Sequence, residues 1–244
     1  MRICIAQTIP VIGDIDQNIA KHLQFINSVK QHEVDCIIFP ELSLTGYEPT
    51  LADALALEVN DKRMDSFQKS SDENHVIIGV GIPVKHFPLP QIGMVVFNPQ
   101  KAREYYIKEF LHNDEWTYFN AGRGSIRYLG SESRVALAIC YEISVQTHAQ
   151  SAYKQGAGIY LASVAKFTDG IHISETRLAE IAVSHNMTVM MSNSAGTADG
   201  ATCAGRSGIW NNTGELVAQL DDRSEGFIVH DTETQATFCK SLII

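Results

Sequence analysis

The chain has 244 residues, of which 45% are hydrophobic and 19% are charged, and its formal net charge at pH 7 is −9. An acidic balance without a cluster of Lys and Arg argues against nucleic acid and anionic membrane surfaces as partners. No Pro/Gly/Ser-rich linker, charge block or solenoid-type repeat divides the sequence, so we expect a single domain over residues 1–244.

The N-terminus and the cysteines both indicate the compartment. Residues 1–7 are apolar only briefly before Pro10 and Gly13, which is too short for the core of a signal peptide. No later apolar run reaches membrane-spanning length. The cysteines are scattered without CxxC pairs, as is typical of free thiols in a reducing compartment: Cys4, Cys36, Cys140, Cys203 and Cys239. We therefore predict a cytoplasmic protein.

The first predicted elements form a βαβ unit. Residues 16–30 carry apolar side chains at helical spacing, among them Ile19, Leu23 and Ile26, and they lie between predicted strands at 3–7 and 36–39. Such a unit has parallel strands. Because Pro40 cannot continue a central strand, we expect Glu41 in the loop at the carboxyl end of the second strand.

Three predicted strands follow at 75–83, 93–98 and 102–108. β-Branched residues and the turn dipeptide Asn98-Pro99 favour an antiparallel meander. Lys108 is the final residue of the third strand.

The second half of the chain alternates strands and helices. A buried strand at 134–139 ends at Cys140, and it is followed by helix 144–155, strand 158–162, helix 174–185 with Ser174 as N-cap, and strand 188–192. Short strands at 207–210, 215–219 and 226–230 complete the chain. This pattern predicts an α/β fold, a four-layer α-β-β-α sandwich of two mixed sheets with outer helices.

A carboxylate, an ammonium and a thiol thus follow three predicted strands. Taken singly, Cys140 would be a buried core residue, and Glu41 and Lys108 would be solvated charges. The strings that contain them, over residues 39–47, 106–112 and 138–142, resemble in order and separation the Glu, Lys and Cys motifs of the nitrilase superfamily of carbon–nitrogen hydrolases. The resemblance extends from Ile5-Ala6-Gln7 to Gly214-Glu215-Leu216.

The resemblance implies the same sandwich fold and cleavage of a non-peptide C–N bond in a small amide, with release of ammonia or an amine. Amidase, ω-amidase and carbamoyl-amide hydrolase activities all fit. It also implies a homodimer or higher homo-oligomer, assembled through helices at about 144–155 and 174–186.

The chemistry gives each of the three residues a role. A free thiol has a pKa of about 8.5, so a cysteine nucleophile needs a base, and Glu41 is assigned as that base. Lys108 and the backbone N–H of Tyr141 would stabilise the oxyanion, and Cys140 would carry a thioester. Two further acids resemble family positions: Glu115, which would position the lysine, and Glu142, which would support the Cys140 turn by hydrogen bonds.

Other candidates carry a weaker signal. Aromatic side chains are more often packing than ligands, yet these four residues are candidates for lining the pocket: Tyr47, Trp116, Phe167 and His172. The nine histidines show no HExxH pattern, and Gly79-Val80-Gly81 lacks the third glycine of a dinucleotide loop. We therefore expect no metal and no cofactor.

Two departures from the family pattern concern substrate and assembly. Ala182 and His185 stand where many members carry Arg and Glu, and Ala162-Ser163 stands where a proline often precedes the serine. Alternative interpretations stay open: nitrile hydrolysis or acyl transfer at the same site, or a catalytically silent scaffold. A papain-like pair of Cys140 with a histidine is a further alternative, with these candidates: His148, His172 and His185.

Overall fold

The computed structural model describes residues 1–123, 128–130 and 134–242. The strands are β1 (Arg2–Gln7), β2 (Cys36–Ile38), β3 (Ile77–Val84), β4 (Gln91–Phe97), β5 (Glu104–Ile107), β6 (Tyr128–Leu129), β7 (Val135–Ile139), β8 (Ile159–Val164), β9 (Thr188–Asn193), β10 (Ala195–Ala198), β11 (Ala201–Ala204), β12 (Gly208–Trp210), β13 (Leu216–Gln219), β14 (Gly226–Asp231) and β15 (Thr237–Ser241). The α-helices are α1 (Ile15–Val29), α2 (Asp65–Asn74), α3 (Gln146–Lys154) and α4 (Ile171–His185).

Two mixed sheets contain most of the strands. The first has the order β15-β14-β1-β2-β3-β4-β5, the second has the order β13-β12-β9-β8-β7-β6, and β10 and β11 form a separate hairpin. β1 and β2 are parallel across α1, which confirms the predicted βαβ unit. β3, β4 and β5 pair antiparallel, which confirms the predicted meander.

The two sheets are held together by apolar packing and by hydrogen bonds from a serine. Ile5 and Ile38 of the first sheet belong to the same buried cluster as Ala138 of the second. Ser192 Oγ donates to the backbone carbonyls of Ala6 (2.6 Å) and Ile38 (3.1 Å). These bonds satisfy buried polar groups that would otherwise be costly and hold the two sheets in one register.

Helices cover the outer faces and complete the α-β-β-α sandwich. Asp14 caps α1 by accepting from the backbone N–H of Gln17 (3.0 Å), and Phe25 of this helix packs edge-on against Phe39. On the second sheet, Leu178 of α4 is buried in the core. None of the helices in the described ranges is long and apolar enough to cross a membrane.

Several local expectations differ from the structure. α4 begins at Ile171 after Gly170, which has a φ of +89°, so Ser174 is not the N-cap but a buried residue within the first turns. The predicted helix 144–155 is preceded by a 3-10 turn at Cys140–Ser144, and α3 begins only at Gln146. A backbone with positive φ at Cys140 bends the chain here before the helix can start.

One helix and four strands of the described residues were not predicted: α2, β6, β15, and the hairpin strands β10 and β11. α2 is mostly polar, and Phe67 and Ser71 are its buried residues. Apart from two threonines and Cys203, the hairpin consists of alanines and Gly196, which carry little strand propensity. Tertiary packing, rather than local preference, forms these elements.

Candidate active site

Three strand ends meet at one edge of the sandwich. Glu41 follows β2, Lys108 follows β5 and Cys140 follows β7, as the sequence predicts. The Nζ atom of Lys108 lies 2.9 Å from Oε1 of Glu41, and both side chains are fully buried. The strand ends therefore bring two opposite charges into direct contact inside the protein.

Glycines allow the close backbone approach that positions Glu41 and Lys108. A Cβ at Gly81 would lie 2.5 Å from the carbonyl oxygen of Pro40, and one at Gly122 would lie 2.8 Å from that of Ile107. The N–H of Gly122 donates to the carbonyl of Lys108 (2.8 Å). Gly81 thus belongs to strand packing, as expected for an isolated GxG, and it supports the turn that carries Glu41.

Glu41 sits in an environment that disfavours its ionised form. Its Oε1 accepts from Lys108, and its Oε2 accepts from the backbone N–H of Ala165 (3.2 Å). Burial raises the pKa of this carboxyl; Lys108 opposes the rise, and the charge of Glu115 adds to it. A carboxylate with a raised pKa is a stronger base towards a thiol proton.

Lys108 is shared between two carboxylates. Oε1 of Glu115 accepts from Nζ (2.6 Å) and from the hydroxyl of Tyr47 (3.0 Å), and Oε2 accepts from the backbone N–H of His112 (2.8 Å). Burial alone would lower the pKa of Lys108, but the negative charges of Glu41, Cys140 and Glu115 outweigh it and raise the pKa. The ammonium is therefore charged and held in one position.

Cys140 has a strained backbone and a largely buried side chain. Its φ is +43°, in the left-handed region that non-glycine residues seldom adopt, and the residue is 9% exposed. Burial and the charge of Glu41 raise the pKa of the thiol to about 11, while the cations of Lys166 and Lys108 oppose the rise. The turn therefore directs a thiol towards a buried base and two cations.

Glu142 connects the turn at Cys140 to the loop after Lys108. Its Oε2 accepts from the N–H of Ile139 (2.7 Å) and from the Tyr106 hydroxyl (2.7 Å), and its Oε1 accepts from the N–H of Glu109 (2.6 Å). These bonds tie the residue before Cys140 to the residue after Lys108. Glu142 is a positioning group in this geometry.

The predicted pocket residues lie in different surroundings. The ring of Phe167 is 6.1 Å from that of Tyr47, which itself binds Glu115, and the half-buried Tyr141 follows Cys140 with its ring 5.1 Å from that of His112. Trp116 follows Glu115, but it is 57% exposed.

His172 is placed apart from this group. Its side chain is 81% exposed, and its Nδ1 contacts Glu175, which also binds Arg206 at 2.8 Å. Glu175 and Arg206 form an ion pair next to His172.

Sequence reasoning missed Ala165 and Lys166, the two residues directly after β8. β8 is the parallel neighbour of β7, with Ser163 opposite Ile139, so residues 165 and 166 lie at the same sheet edge as Cys140. Ala165 binds Glu41, and Lys166 acts electrostatically on the thiol. A lysine shortly after a predicted strand was the available signal, equivalent to the one that identified Lys108.

The histidine alternatives find other partners. His148 is buried between the hydroxyls of Tyr106 (3.0 Å) and Tyr160 (2.7 Å), and burial lowers its pKa to about 4. His185 stacks on Tyr153. The largest electrostatic effects on the pKa of the Cys140 thiol come from Glu41, Lys166, Lys108 and Glu115 rather than from a histidine. Within the described residues, no group of His, Cys, Asp and Glu is arranged to hold a metal ion.

A cleft of about 1570 Å³ opens at the opposite end of the sandwich. It is lined mainly by residues at the amino ends of strands, such as Ile77, Val135 and Ile159. Tyr106 and Ile107 also line it, but Glu41, Lys108, Glu115 and Cys140 do not. The candidate site is therefore at the carboxyl ends of β2, β7 and β8, away from this cleft.

A family model matches nearly the whole chain. Residues 2–237 match the family model described as carbon-nitrogen hydrolase. The chain is 28% identical over 241 residues to the glutamine-dependent NAD(+) synthetase of Acinetobacter baylyi, covering 92% of this chain and 42% of that protein. It is 31% identical over 151 residues to the enzyme of the same name from Aquifex aeolicus, covering 59% of this chain and 26% of that protein. The chain thus spans less than half the length of these curated relatives.

Solved structures share the fold. An amidase from Nesterenkonia sp. AN1, in a cysteine-to-alanine mutant complexed with butyramide, superimposes with a TM-score of 0.86 at 19% identity, covering 96% of this chain and 92% of that one. Another mutant of that amidase, with acrylamide added to its active site cysteine, matches with a TM-score of 0.86 at 20% identity, covering 96% and 94% of the two chains.

Proposed function

This chain belongs to the carbon–nitrogen hydrolase family, and we propose that it hydrolyses a small amide through a thioester on Cys140, with release of ammonia or an amine. The observation that carries the proposal is the buried ammonium of Lys108, bound by both Glu41 and Glu115 at the sheet edge where Cys140 stands. Burying three charges is costly, and a structural core gains little from it. In an enzyme the three buried charges have a chemical use, because they can stabilise charge that develops during a reaction at Cys140.

Acylation begins with proton transfer from the thiol to Glu41. The sulfur of Cys140 bonds to the carbonyl carbon of the amide, and the electron pair of the C=O bond moves to oxygen. Lys108 and the backbone N–H of Tyr141 stabilise that oxyanion, a contribution of about 3–4 kcal/mol for one such donor. The C–N bond then breaks as the oxyanion collapses, and the nitrogen takes the proton from Glu41.

Deacylation uses the same residues, with water as the attacking group. Glu41 accepts a proton from a water molecule, whose oxygen attacks the thioester carbonyl. The second oxyanion collapses, the C–S bond breaks, and the sulfur of Cys140 regains the proton from Glu41. Glu115 acts by positioning Lys108, to which it is bound at 2.6 Å. A carboxylic acid and the free thiol are the products of this half-reaction.

Two amides are the first substrates to test. Glutamine is one, because the curated relatives are named glutamine-dependent synthetases. Butyramide is the other, because it is the ligand in a structure of the same fold. The relatives extend well beyond the segment that this chain matches, so we propose the amide hydrolysis step for this chain and nothing of the synthetase reaction.

The proposal is tested by ammonia release from glutamine, butyramide, a carbamoyl compound and a nitrile. We expect release by the wild type and none by Cys140→Ala, with Cys239→Ala on the exposed β15 as the matched cysteine control. Intact mass of the protein quenched during turnover should show one acyl group on Cys140. Full activity of Cys140→Ala on any of these compounds would refute the mechanism, and selective turnover of the nitrile would favour nitrile hydrolysis.

Three broader predictions remain proposals. We propose that residues 1–244 act as one hydrolase domain, that the protein is cytoplasmic, and that it forms a homodimer. Exposed apolar side chains on α3 and α4, namely Tyr153, Ile173 and Val183, support the last of these. A monomer in sedimentation at micromolar concentration would contradict the dimer.

A further inference from the structure

Lys166 lies beside Cys140 because their strands are neighbours. β7 and β8 are hydrogen-bonded in parallel, with Ile139 opposite Ser163. Cys140 begins the turn after β7, and Lys166 comes two residues after the end of β8. Adjacent strands are about 4.8 Å apart, so Cys140 and Lys166 lie at the same edge of the sheet.

The backbone of Lys166 is held at both of its polar groups. Its N–H donates to Oδ1 of Asn193 (2.8 Å), and its carbonyl accepts from the N–H of Ala204 (2.8 Å) and from Nδ2 of Asn193 (3.3 Å). The next residue, Phe167, pairs with Cys203 and packs near Tyr47. The backbone of Lys166 is therefore held in place at the sheet edge beside Cys140, as the support of a binding group requires.

The ammonium of Lys166 can bind an anionic ligand, whereas that of Lys108 is already bound by two carboxylates. Lys108 is fully buried between Glu41 and Glu115. Lys166 is half-buried, and among the residues that the structure describes it forms no ion pair within 4.0 Å. A partly desolvated ammonium gains most from an anionic partner, and the ligand that enters here is the substrate.

We infer that Lys166 binds a carboxylate of the substrate, so that the preferred amides are themselves anions, such as short ω-amides of dicarboxylic acids and their amino derivatives. This inference rests on the proposed amide hydrolysis. In this binding mode, the amide carbonyl contacts Cys140 and Lys108, and the carboxylate at the other end of the substrate binds Lys166. Lys166 is then a residue that determines specificity and not one that takes part in bond cleavage.

The kinetic test compares an anionic amide with a neutral one of similar size. With succinamate and pentanamide as the pair, we expect Lys166→Met to lower kcat/KM for succinamate by about 10- to 100-fold, mainly through KM. The loss for pentanamide should be several times smaller, because this neutral amide loses only the effect of Lys166 on the Cys140 thiol. Lys166→Arg should retain most of the preference for succinamate, and Lys101→Met, at the opposite cleft, is the matched lysine control.

Two kinetic outcomes would overturn the inference. If Lys166→Met lowers turnover of both amides equally, the lysine acts on the Cys140 thiol alone and does not bind the substrate. If neither amide is affected, the lysine has no role at the site.

A binding test does not depend on turnover. Calorimetry on Cys140→Ala should show tighter binding of succinamate than of pentanamide, and the difference should disappear in Cys140→Ala/Lys166→Met. Equal binding of both compounds to Cys140→Ala would overturn the inference. If succinamate binds through Lys166 but the wild type hydrolyses no amide, the proposed function fails while the carboxylate site stands.

Discussion

The amino group of Lys108 lies 2.6 Å from Oε1 of Glu115, and both side chains are almost completely shielded from solvent. The same ammonium also binds Glu41 at 2.9 Å, so one buried cation compensates two carboxylates. Such a set is stable only while all its members are present, because each remaining charge would otherwise be buried without a partner. This relationship links the stability of the protein to the chemistry proposed for Cys140.

Removing the lysine should destabilise the fold as well as abolish activity. For Lys108→Met, the free energy of unfolding should fall by about 3–5 kcal/mol, because Glu41 and Glu115 are left as adjacent buried acids. The double variant Lys108→Met/Glu115→Gln should recover part of this loss, since one of the two charges is gone. Urea denaturation at neutral pH measures both values. A single variant as stable as the wild type would contradict the buried-charge account.

The backbone at Cys140 predicts an unusual order of stability among substitutions. Because φ is +43°, glycine should be tolerated better than alanine, and Cys140→Gly should be more stable than Cys140→Ala by about 1 kcal/mol. Cys36, in the extended strand β2, provides the matched control. There the order should reverse, with glycine less stable than alanine by about 0.5–1 kcal/mol. If glycine is less stable than alanine at Cys140 as well, denaturant titrations rule out backbone strain at this residue.

Neutralising Glu41 should change thiol reactivity and turnover in opposite directions. The carboxylate of Glu41 raises the pKa of Cys140, so Glu41→Gln should lower that pKa and make alkylation by iodoacetamide at pH 8 about three- to tenfold faster. Ammonia release should nevertheless be lost, because no base remains to carry the proton. Peptide mass mapping over a pH series gives the alkylation profile, with the exposed Cys239 as internal reference. An unchanged or higher midpoint for Cys140 would contradict the assignment.

Acid should destabilise the protein through His148. Burial lowers the folded pKa of this residue to about 4, from the ordinary histidine value of 6.5, so the unfolded state binds a proton first as the pH falls. The stability due to neutral His148 is therefore present above pH 6.5 and lost towards pH 4, by up to about 3 kcal/mol. His148→Gln can keep bonds to Tyr106 and Tyr160, and its unfolding free energy should fall less steeply over this interval. Parallel pH profiles of the two proteins would refute the prediction.

Local sequence patterns were sufficient to predict the elements that lead to the candidate site. The helical spacing of Ile19, Leu23 and Ile26, and the break at Pro40, are properties of short segments, and α1 and β2 lie where these patterns place them. Where the pattern was weak, as in α2 and the hairpin after β9, packing against distant residues decided the structure. At Ser174 a residue of the right type was present, but the turn at Gly170 starts the helix earlier.

By itself the sequence determined that a carboxylate, an ammonium and a thiol each follow a strand, and which family those motifs resemble. Only the tertiary structure decided that Lys108 is shared by two acids, and that Lys166 stands beside Cys140 without an ion-pair partner among the described residues. Lys108 and Glu41 are 67 positions apart and meet because β5 and β2 belong to the same sheet. Ala165 and Glu41 are 124 positions apart and meet because the two sheets pack together. Charges and distances of this kind arise from the packing of remote segments, which no local pattern encodes.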